Sequence, residues 1–300
     1  MSEKEINVLK GRKLSLDGSR PIGSGWASDV YMIGEDTVVK VLKRASFEDA
    51  AREIKLSKWA FLKGVPTAIS FDVADVDGRP GLVYESLGRG NLLRLLRDTP
   101  EDFDSVVRRY AQLLHTIHAA EVEDGQLPEA YDRYRKGLES IRELLSEAEY
   151  AKMSALLDGI PKRNTMLHGD CQIKNVRVVK GELYLIDLDT LSRGDPIYEL
   201  SALTCCYRGY PSLREGDFDD FFGLPVALLN RLIDELLREY FAGADEKTFT
   251  ENVNKVTLLS YMDMLSRLME DSPDDEKGIA LMHEGLKKYL PLVDDLVIQY

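Results

Sequence analysis

His168-Gly169-Asp170-Cys171-Gln172-Ile173-Lys174-Asn175, followed twelve residues later by Asp187 within Ile186-Asp187-Leu188-Asp189, is the stretch on which the reading of this 300-residue chain turns. Between Asn175 and Asp187 the pattern is that of a hairpin, with Val176, Val178, Leu183 and Leu185 on strands and Lys180-Gly181 at the turn. A loop therefore supplies Asp170 and Asn175, and the hairpin is expected to carry Asp187 back beside them. Phosphoryl transfer from a nucleotide asks for this chemistry. One carboxylate must accept or orient the proton of the attacking hydroxyl, while a second carboxylate and an amide oxygen hold the magnesium ions that neutralise the triphosphate. Asp170, Asp187 and Asn175 suit those roles in that order.

HGD-x4-N followed by IDLD resembles the aminoglycoside phosphotransferase and choline kinase superfamily, distant relatives of the protein kinases. That superfamily uses HGD where protein kinases use HRD, and an IDxD-type sequence where they use DFG. The resemblance implies that Asp170 is the catalytic aspartate and that Asn175 and Asp187 are metal ligands. Asp189 and the Gly194-Asp195-Pro196 turn match family positions that brace the loop. Gln172 departs from the pattern, standing where the family often has histidine, and Lys174 stands where it commonly has glycine. Lys174 is read either as a charge for the transferring phosphate or as a solvated loop lysine. His115 and His118 are read as structural.

The first third carries a second, independent set of residues. Pro21-Ile22-Gly23-Ser24-Gly25-Trp26-Ala27-Ser28-Asp29-Val30-Tyr31 resembles the glycine-rich loop that lies over nucleotide phosphates, with Gly23, Ser24 and Gly25 nearest to them. Backbone N–H groups reach phosphate oxygens where no Cβ intervenes. Val38-Val39-Lys40-Val41 is an apolar strand with a single lysine, at the interval where kinases place the lysine that binds the α- and β-phosphates. Glu53, twelve residues before Val65-Pro66, matches the family glutamate that pairs with it, and Glu48 is its rival. Leu82-Val83-Tyr84-Glu85-Ser86-Leu87-Gly88 resembles the interlobe hinge, so the Glu85 carbonyl and Leu87 N–H would meet the adenine edge. Tyr84 would limit the pocket's depth, with Ile22, Val30 and Val38 above the base and Ile186 below.

The order of elements supports the same architecture. Strands are expected over Pro21–Met32 and Thr37–Leu42, turned at Gly34-Glu35-Asp36, then a helix over Phe47–Lys63 capped by Ser46, then short strands at Ala68–Val73 and Gly81–Tyr84. After Gly88 the chain reads as helix. Thr99 is expected as a cap with Pro100 at the first helical position, and Phe103, Val106, Tyr110, Leu113, Leu114 and Ile117 form a stripe. One helix is expected over Tyr134–Leu157 and an all-helical final third, with Phe221, Phe222, Met262, Met264 and Met269 as core filler. The expected fold class is α+β and protein-kinase-like, with a small antiparallel β-lobe and a larger, mainly α-helical lobe. Residues 1–88 form the nucleotide-binding lobe, the hinge lies at about 84–90, and residues 89–300 hold the catalytic loop and acceptor site.

Composition narrows the function classes. A hydrophobic content of 44% with 30% charged residues is that of an ordinary globular protein. No apolar run begins the chain and none is of membrane length, so no signal peptide and no membrane partner are expected. Three cysteines, two of them adjacent, fit neither a disulfide framework nor a metal site, and a cytoplasmic location follows. Residues 1–88 carry 13 basic and 13 acidic side chains, so the whole net charge of −13 lies beyond them. Nucleic acid is excluded as a partner, since binding it needs concentrated positive charge.

The acidic clusters Asp217-Asp219-Asp220 and Glu270-Asp271 with Asp274-Asp275-Glu276 point instead to a cationic acceptor, an aminoglycoside or another amine-bearing alcohol. Solubility is the competing account of the same charge. The reaction implied by the resemblance is magnesium-dependent transfer from ATP, or GTP, to a hydroxyl of a small molecule. A catalytically silent nucleotide-binding module and a kinase of an uncharged sugar are the alternatives. Monomer and homodimer are both compatible with the sequence.

Overall fold

Alternation along Thr37–Leu42 organises the N-terminal part of the protein. In a strand, neighbouring side chains leave opposite faces, so Val39 and Val41 point one way and Lys40 and Leu42 the other. Val39 and Val41 join Ala74, Val76 and Val83 in one buried cluster; Leu42 joins Ala50 and Leu82 in a second. Lys40 thus emerges on the face that Ala50 and its helix cover. The computed structural model describes residues 12–300 apart from Trp26, Asp124 and Glu215. Trp26 of the glycine-rich stretch and residues 1–11 therefore lie outside the described residues.

The chain divides into two compact units. The first runs to Asn91 and takes in Val176–Asp189. Its sheet holds β1 (Arg12–Lys13), β2 (Arg20–Ser24), β3 (Ser28–Met32), β4 (Thr37–Leu42), β5 (Ser70–Val76) and β6 (Arg79–Glu85), in the order β1-β5-β6-β4-β3-β2. All pairs are antiparallel except β1 with β5, which is parallel. Helix α1 (Phe47–Leu62) starts in a full capping box between Ser46 and Asp49. Gly81 has to be glycine, because a Cβ there would lie 2.8 Å from Val39 Cγ2 and 2.9 Å from Val76 Cγ2. Hairpin β7 (Val176–Val179) and β8 (Glu182–Leu185) belongs to this unit through backbone: Leu185 N donates to Pro66 O at 2.8 Å and Ala68 N to Leu185 O at 3.3 Å.

The second unit, Leu92–Asn175 with Thr190–Tyr300, is mainly helical. It contains α2 (Leu92–Asp98), α3 (Phe103–His118), α4 (Ala130–Ser140), α5 (Glu147–Asp158), α6 (Ile197–Thr204), α7 (Val226–Tyr240), α8 (Glu246–Asp271) and α9 (Glu276–Tyr289). The stripe expected on α3 is its buried face, and α3 packs on α7 while α8 packs on α4, α6 and α9. Among the described residues no helix is long and apolar enough to cross a membrane.

Three local expectations need correction. Thr99 caps nothing: its hydroxyl donates to Leu95 O at 2.8 Å, and Pro100–Asp102 form a 3-10 turn before α3. The helix expected over Tyr134–Leu157 is two helices. Arg142–Leu144 break it, and Ser146 with Glu149 opens α5 in a capping box that the apolar pattern alone passes over. Phe221 is half exposed, not core, and the final third also holds a small hairpin, Phe218–Asp219 with Leu224–Pro225.

Candidate active site

Two sets of side chains carry chemistry, one in each unit. In the first, Lys40 is held between two carboxylates. Its Nζ lies 3.0 Å from Glu53 Oε1 and 2.5 Å from Asp187 Oδ1, and its side chain is only 13% exposed. Burial pushes the Lys40 ammonium down, but the charges of Glu53 and Asp187 outweigh it and hold the group above its usual value. Glu53 faces this lysine because it is buried on α1, whereas Glu48 is exposed at the helix's first turn. Of the two candidates, Glu53 is the partner. Tyr84 Oη also donates to Glu53 Oε1, at 2.9 Å. Burial first, then the Glu53 charge, raise the Tyr84 phenol well above its ordinary value, so it stays a neutral donor.

Asp187 occupies left-handed backbone, with φ of 67°, a conformation that costs a non-glycine residue and concentrates at functional sites. Around this triad lies a cavity of about 240 Å³. Ile22, Gly23, Val30 and Val38 line it from the sheet, Glu85 from the end of β6, Ser86, Leu87 and Gly88 from the segment beyond it, and Ile186 from just after the hairpin. Gly23, Lys40, Glu53, Glu85, Leu87 and Asp187 are therefore brought together. Ser24 and Gly25 are not among its lining residues. They close the β2–β3 turn instead, where Ser24 Oγ donates to Asp29 Oδ1 at 2.6 Å and Gly25 N to Ser28 O at 2.9 Å.

In the second unit the segment His168–Asn175 is a loop braced from below. Glu199, fully buried on α6, accepts from His168 N at 2.8 Å and Gly169 N at 2.9 Å, and lies 3.3 Å from His118 Nε2. Burial pushes the Glu199 carboxyl up, but the hydrogen bonds and the His118 imidazole bring it below its ordinary value. Gly169 has φ of +84°, and a Cβ on it would sit 2.5 Å from the Thr190 carbonyl oxygen. That is the steric reason for the glycine of HGD. Further along, Tyr110 Oη donates to Cys171 O, and Ile173 N donates to Tyr207 Oη at 2.9 Å.

On this support Asp170 is exposed and Asn175 buried. Asn175 Nδ2 donates to Asp170 Oδ2 at 2.8 Å and to Asp170 O at 3.0 Å, which orients the carboxylate and leaves the amide oxygen as the free end of Asn175. Glu199 was missed in the sequence. Its only signal there is a single acid within the apolar Ile197–Thr204 run. Asp195 does brace the turn: its carboxylate takes Arg163 Nε at 2.7 Å and Ile197 N at 3.0 Å. Lys174 is half-buried. It donates to Phe221 O with its ammonium 3.7 Å from the centre of the Phe221 ring. Gln172 is buried and caps Lys174 N through Oε1 at 2.9 Å.

Asp170 opens on a cavity of about 560 Å³, which Gln172, Glu129, Arg133, Cys206, Tyr210 and Arg267 also line. The acidic clusters from which a cationic acceptor was expected do not line it. Asp219 is buried and holds a turn by accepting from Phe222 N at 2.7 Å, Asp220 faces Arg214, and Asp275 caps α9 through Gly278 N at 2.9 Å. Among the described residues, no group of three histidine, cysteine or carboxylate side chains stands ready for a metal.

The profile of the phosphotransferase enzyme family matches residues 18–240, well over half of the chain. No curated protein matches it. Among solved structures, an amicoumacin kinase in complex with AMP-PNP, Ca2+ and Ami is 15% identical with a TM-score of 0.60, the match covering 98% of this chain and 96% of that one. The ADP-bound aminoglycoside phosphotransferase APH(2'')-Ib is 17% identical with a TM-score of 0.56 over 96% and 99% of the chains. A choline/ethanolamine kinase family protein from Mesorhizobium loti is 16% identical with a TM-score of 0.54 over 91% and 87%. At such identities the likeness carries the fold, and the fold is the α+β, kinase-like one expected from the sequence.

Proposed function

The chain belongs to the phosphotransferase enzyme family, and on that premise we propose that it transfers the γ-phosphoryl group of ATP, with magnesium, to a hydroxyl of a small molecule. The observation that carries this reading is the Lys40 triad: a buried ammonium fixed by Glu53 and Asp187 at the wall of a cavity bounded by Gly23 and the Glu85–Gly88 segment. An ammonium immobilised in this way can grip the α- and β-phosphates without reorganising, which is where the catalytic gain of such sites arises. The Gly23 backbone approaches phosphate oxygens with no Cβ in the way, and Ile22, Val30 and Val38 offer apolar surface to a purine. The backbone of Glu85 and Leu87 would take its hydrogen-bonding edge.

Asp170 is the residue we assign to the acceptor. It is exposed to its cavity, and the Asn175 amide fixes its orientation, so it can receive the hydroxyl proton as the oxygen attacks. The donors available for magnesium fit that ion. Asn175 has its nitrogen committed to Asp170 and its oxygen left over, and Asp187 keeps a second carboxylate oxygen beyond the one facing Lys40. Hard oxygen ligands, few in number and completed by phosphate, are the usual magnesium set. When bound, the ion would neutralise charge on the triphosphate. Three free cysteines, two buried and one half-buried, support a reducing, cytoplasmic setting.

The test is Asp170→Asn, which keeps the shape of the side chain and removes its basicity. Turnover with ATP should fall by about 10²–10⁴ while nucleotide affinity stays within a few-fold, with GTP measured in parallel as donor. Retention of more than roughly a tenth of the wild-type rate, where chemistry limits it, removes Asp170 from this role.

A further inference from the structure

The cavity that receives Asp170 is walled by two arginines that share one carboxylate. Arg133 lies on α4 and Arg267 on α8. Arg133 Nη1 donates to Asp263 Oδ1 at 2.9 Å and Arg267 Nε donates to Asp263 Oδ2 at 3.2 Å. Asp263 is 3% exposed, and a single guanidinium would neutralise it. The second leaves a surplus positive charge on the wall, on side chains still 47% and 35% exposed. Beyond Asp263, Arg133 is also held by an aromatic ring, with its Cζ 4.3 Å from the centre of the Tyr134 ring. Two forks offer more N–H donors than one carboxylate can accept.

Asp170, the proposed base, faces the acceptor hydroxyl, and the other two acids of this wall are committed elsewhere. Glu129 pairs with Arg193 at 2.5 Å, and Glu199 is engaged by the loop N–H groups and His118. Oriented guanidinium forks recognise the planar or tetrahedral oxygens of carboxylates and phosphates, two hydrogen bonds at a time. An ammonium in the same place would meet like charge.

We infer that the acceptor carries an oxyanion, a carboxylate or a phosphate, beside the hydroxyl that is phosphorylated, and that Arg133 and Arg267 bind it. This rests on the proposed transfer reaction for its placement beside Asp170. It also reverses the expectation of a cationic acceptor, whose carboxylates stand outside the cavity.

A matched set of hexoses tests it on the full-length protein by titration calorimetry: glucose, glucosamine, glucuronate and glucose 6-phosphate. Glucuronate or glucose 6-phosphate should bind at least about tenfold tighter than glucose, with glucosamine weakest, and the order of the two oxyanions tells carboxylate from phosphate. Arg133→Lys and Arg267→Lys keep the charge and lose the fork. Each should cut that preference by about tenfold to a hundredfold and leave glucose unchanged, the range expected for hydrogen bonds to a charged group. Glucosamine binding as tightly as the oxyanions, lysine variants that keep the preference, or no binding of either oxyanion at millimolar concentration would each overturn the inference. The transfer reaction stands or falls separately. Oxyanion binding in the expected order without phosphoryl transfer to any of a wider panel of hydroxyl acceptors sinks the reaction and spares the anion site. Transfer confined to amine-bearing acceptors does the reverse.

Discussion

An ammonium shared by two carboxylates, one of which also accepts from a phenol, is a local arrangement with consequences for both binding and stability. Replacing Lys40 by Met removes the partner of Glu53, which is 6% exposed and otherwise bonded to Tyr84. Breaking a buried pair from one side costs about 3–5 kcal/mol, so a marked fall in denaturation midpoint is expected. Adenosine, which lacks phosphates, should keep its affinity for a folded Lys40→Met protein while ATP loses at least about tenfold. Equal loss for both ligands would make Lys40 structural only. Glu199 permits a prediction about pH. Its folded-state pKa lies below the ordinary 4.5, so its contribution is complete above that pH and is lost as pH falls through the lower folded value. Glu199→Gln should destabilise the protein at pH 7 by about 1.5–3 kcal/mol, and the gap from wild type should narrow below pH 4.5. A gap that is constant with pH means that the carboxylate charge is not what braces the loop.

At the scale of elements, the loop before Asn175 depends on one glycine and the helices on their first turns. Gly169→Ala places a Cβ against the Thr190 carbonyl in backbone that disfavours side chains, and neither backbone segment can yield cheaply. Turnover should drop by more than tenfold with ATP affinity little changed, because the displaced element carries Asp170. Near-wild-type turnover in this variant would show that the loop is softer than its contacts suggest. Ser46→Ala and Ser146→Ala each remove a capping box and should cost about 1 kcal/mol apiece by urea denaturation. The second box explains why the Tyr134–Leu157 stretch is two helices. Its apolar spacing runs through the break, and only the Ser-x-x-Glu signature at 146–149 marks a restart.

For the molecule as a whole, a net charge of −13 invites a role in capturing substrate, but the carboxylates concerned are spent on turns, caps and solvated helix ends. Charges more than a screening length away, about 8 Å at physiological ionic strength, add little to capture. Changing Glu270, Asp271, Asp274 and Glu276 to Gln or Asn should therefore leave acceptor kcat/KM within about twofold at low and at physiological salt. A salt-dependent loss of tenfold or more would restore the acidic surface to a functional role.

How much of this was legible beforehand divides along a physical line. Chemistry at fixed short spacing could be read from the residues: Asp170 and Asn175 on one loop, Asp187 at the end of a hairpin, and one lysine in an apolar strand. These depend on local backbone and on what a reaction needs from its side chains. Strand alternation likewise placed Lys40 opposite the Val39 and Val41 face. What no local pattern could decide was the pairing of charges distant in sequence. Glu53 rather than Glu48 was settled by which turn of α1 faces the sheet, and the Lys174 ammonium finds Phe221, 47 residues away. Glu199 reaches back 31 residues to His168 N, and Arg133 meets Asp263 across 130. Whether a charge is solvated, paired or left over on a cavity wall is a property of its neighbours in space, and only packing chooses them.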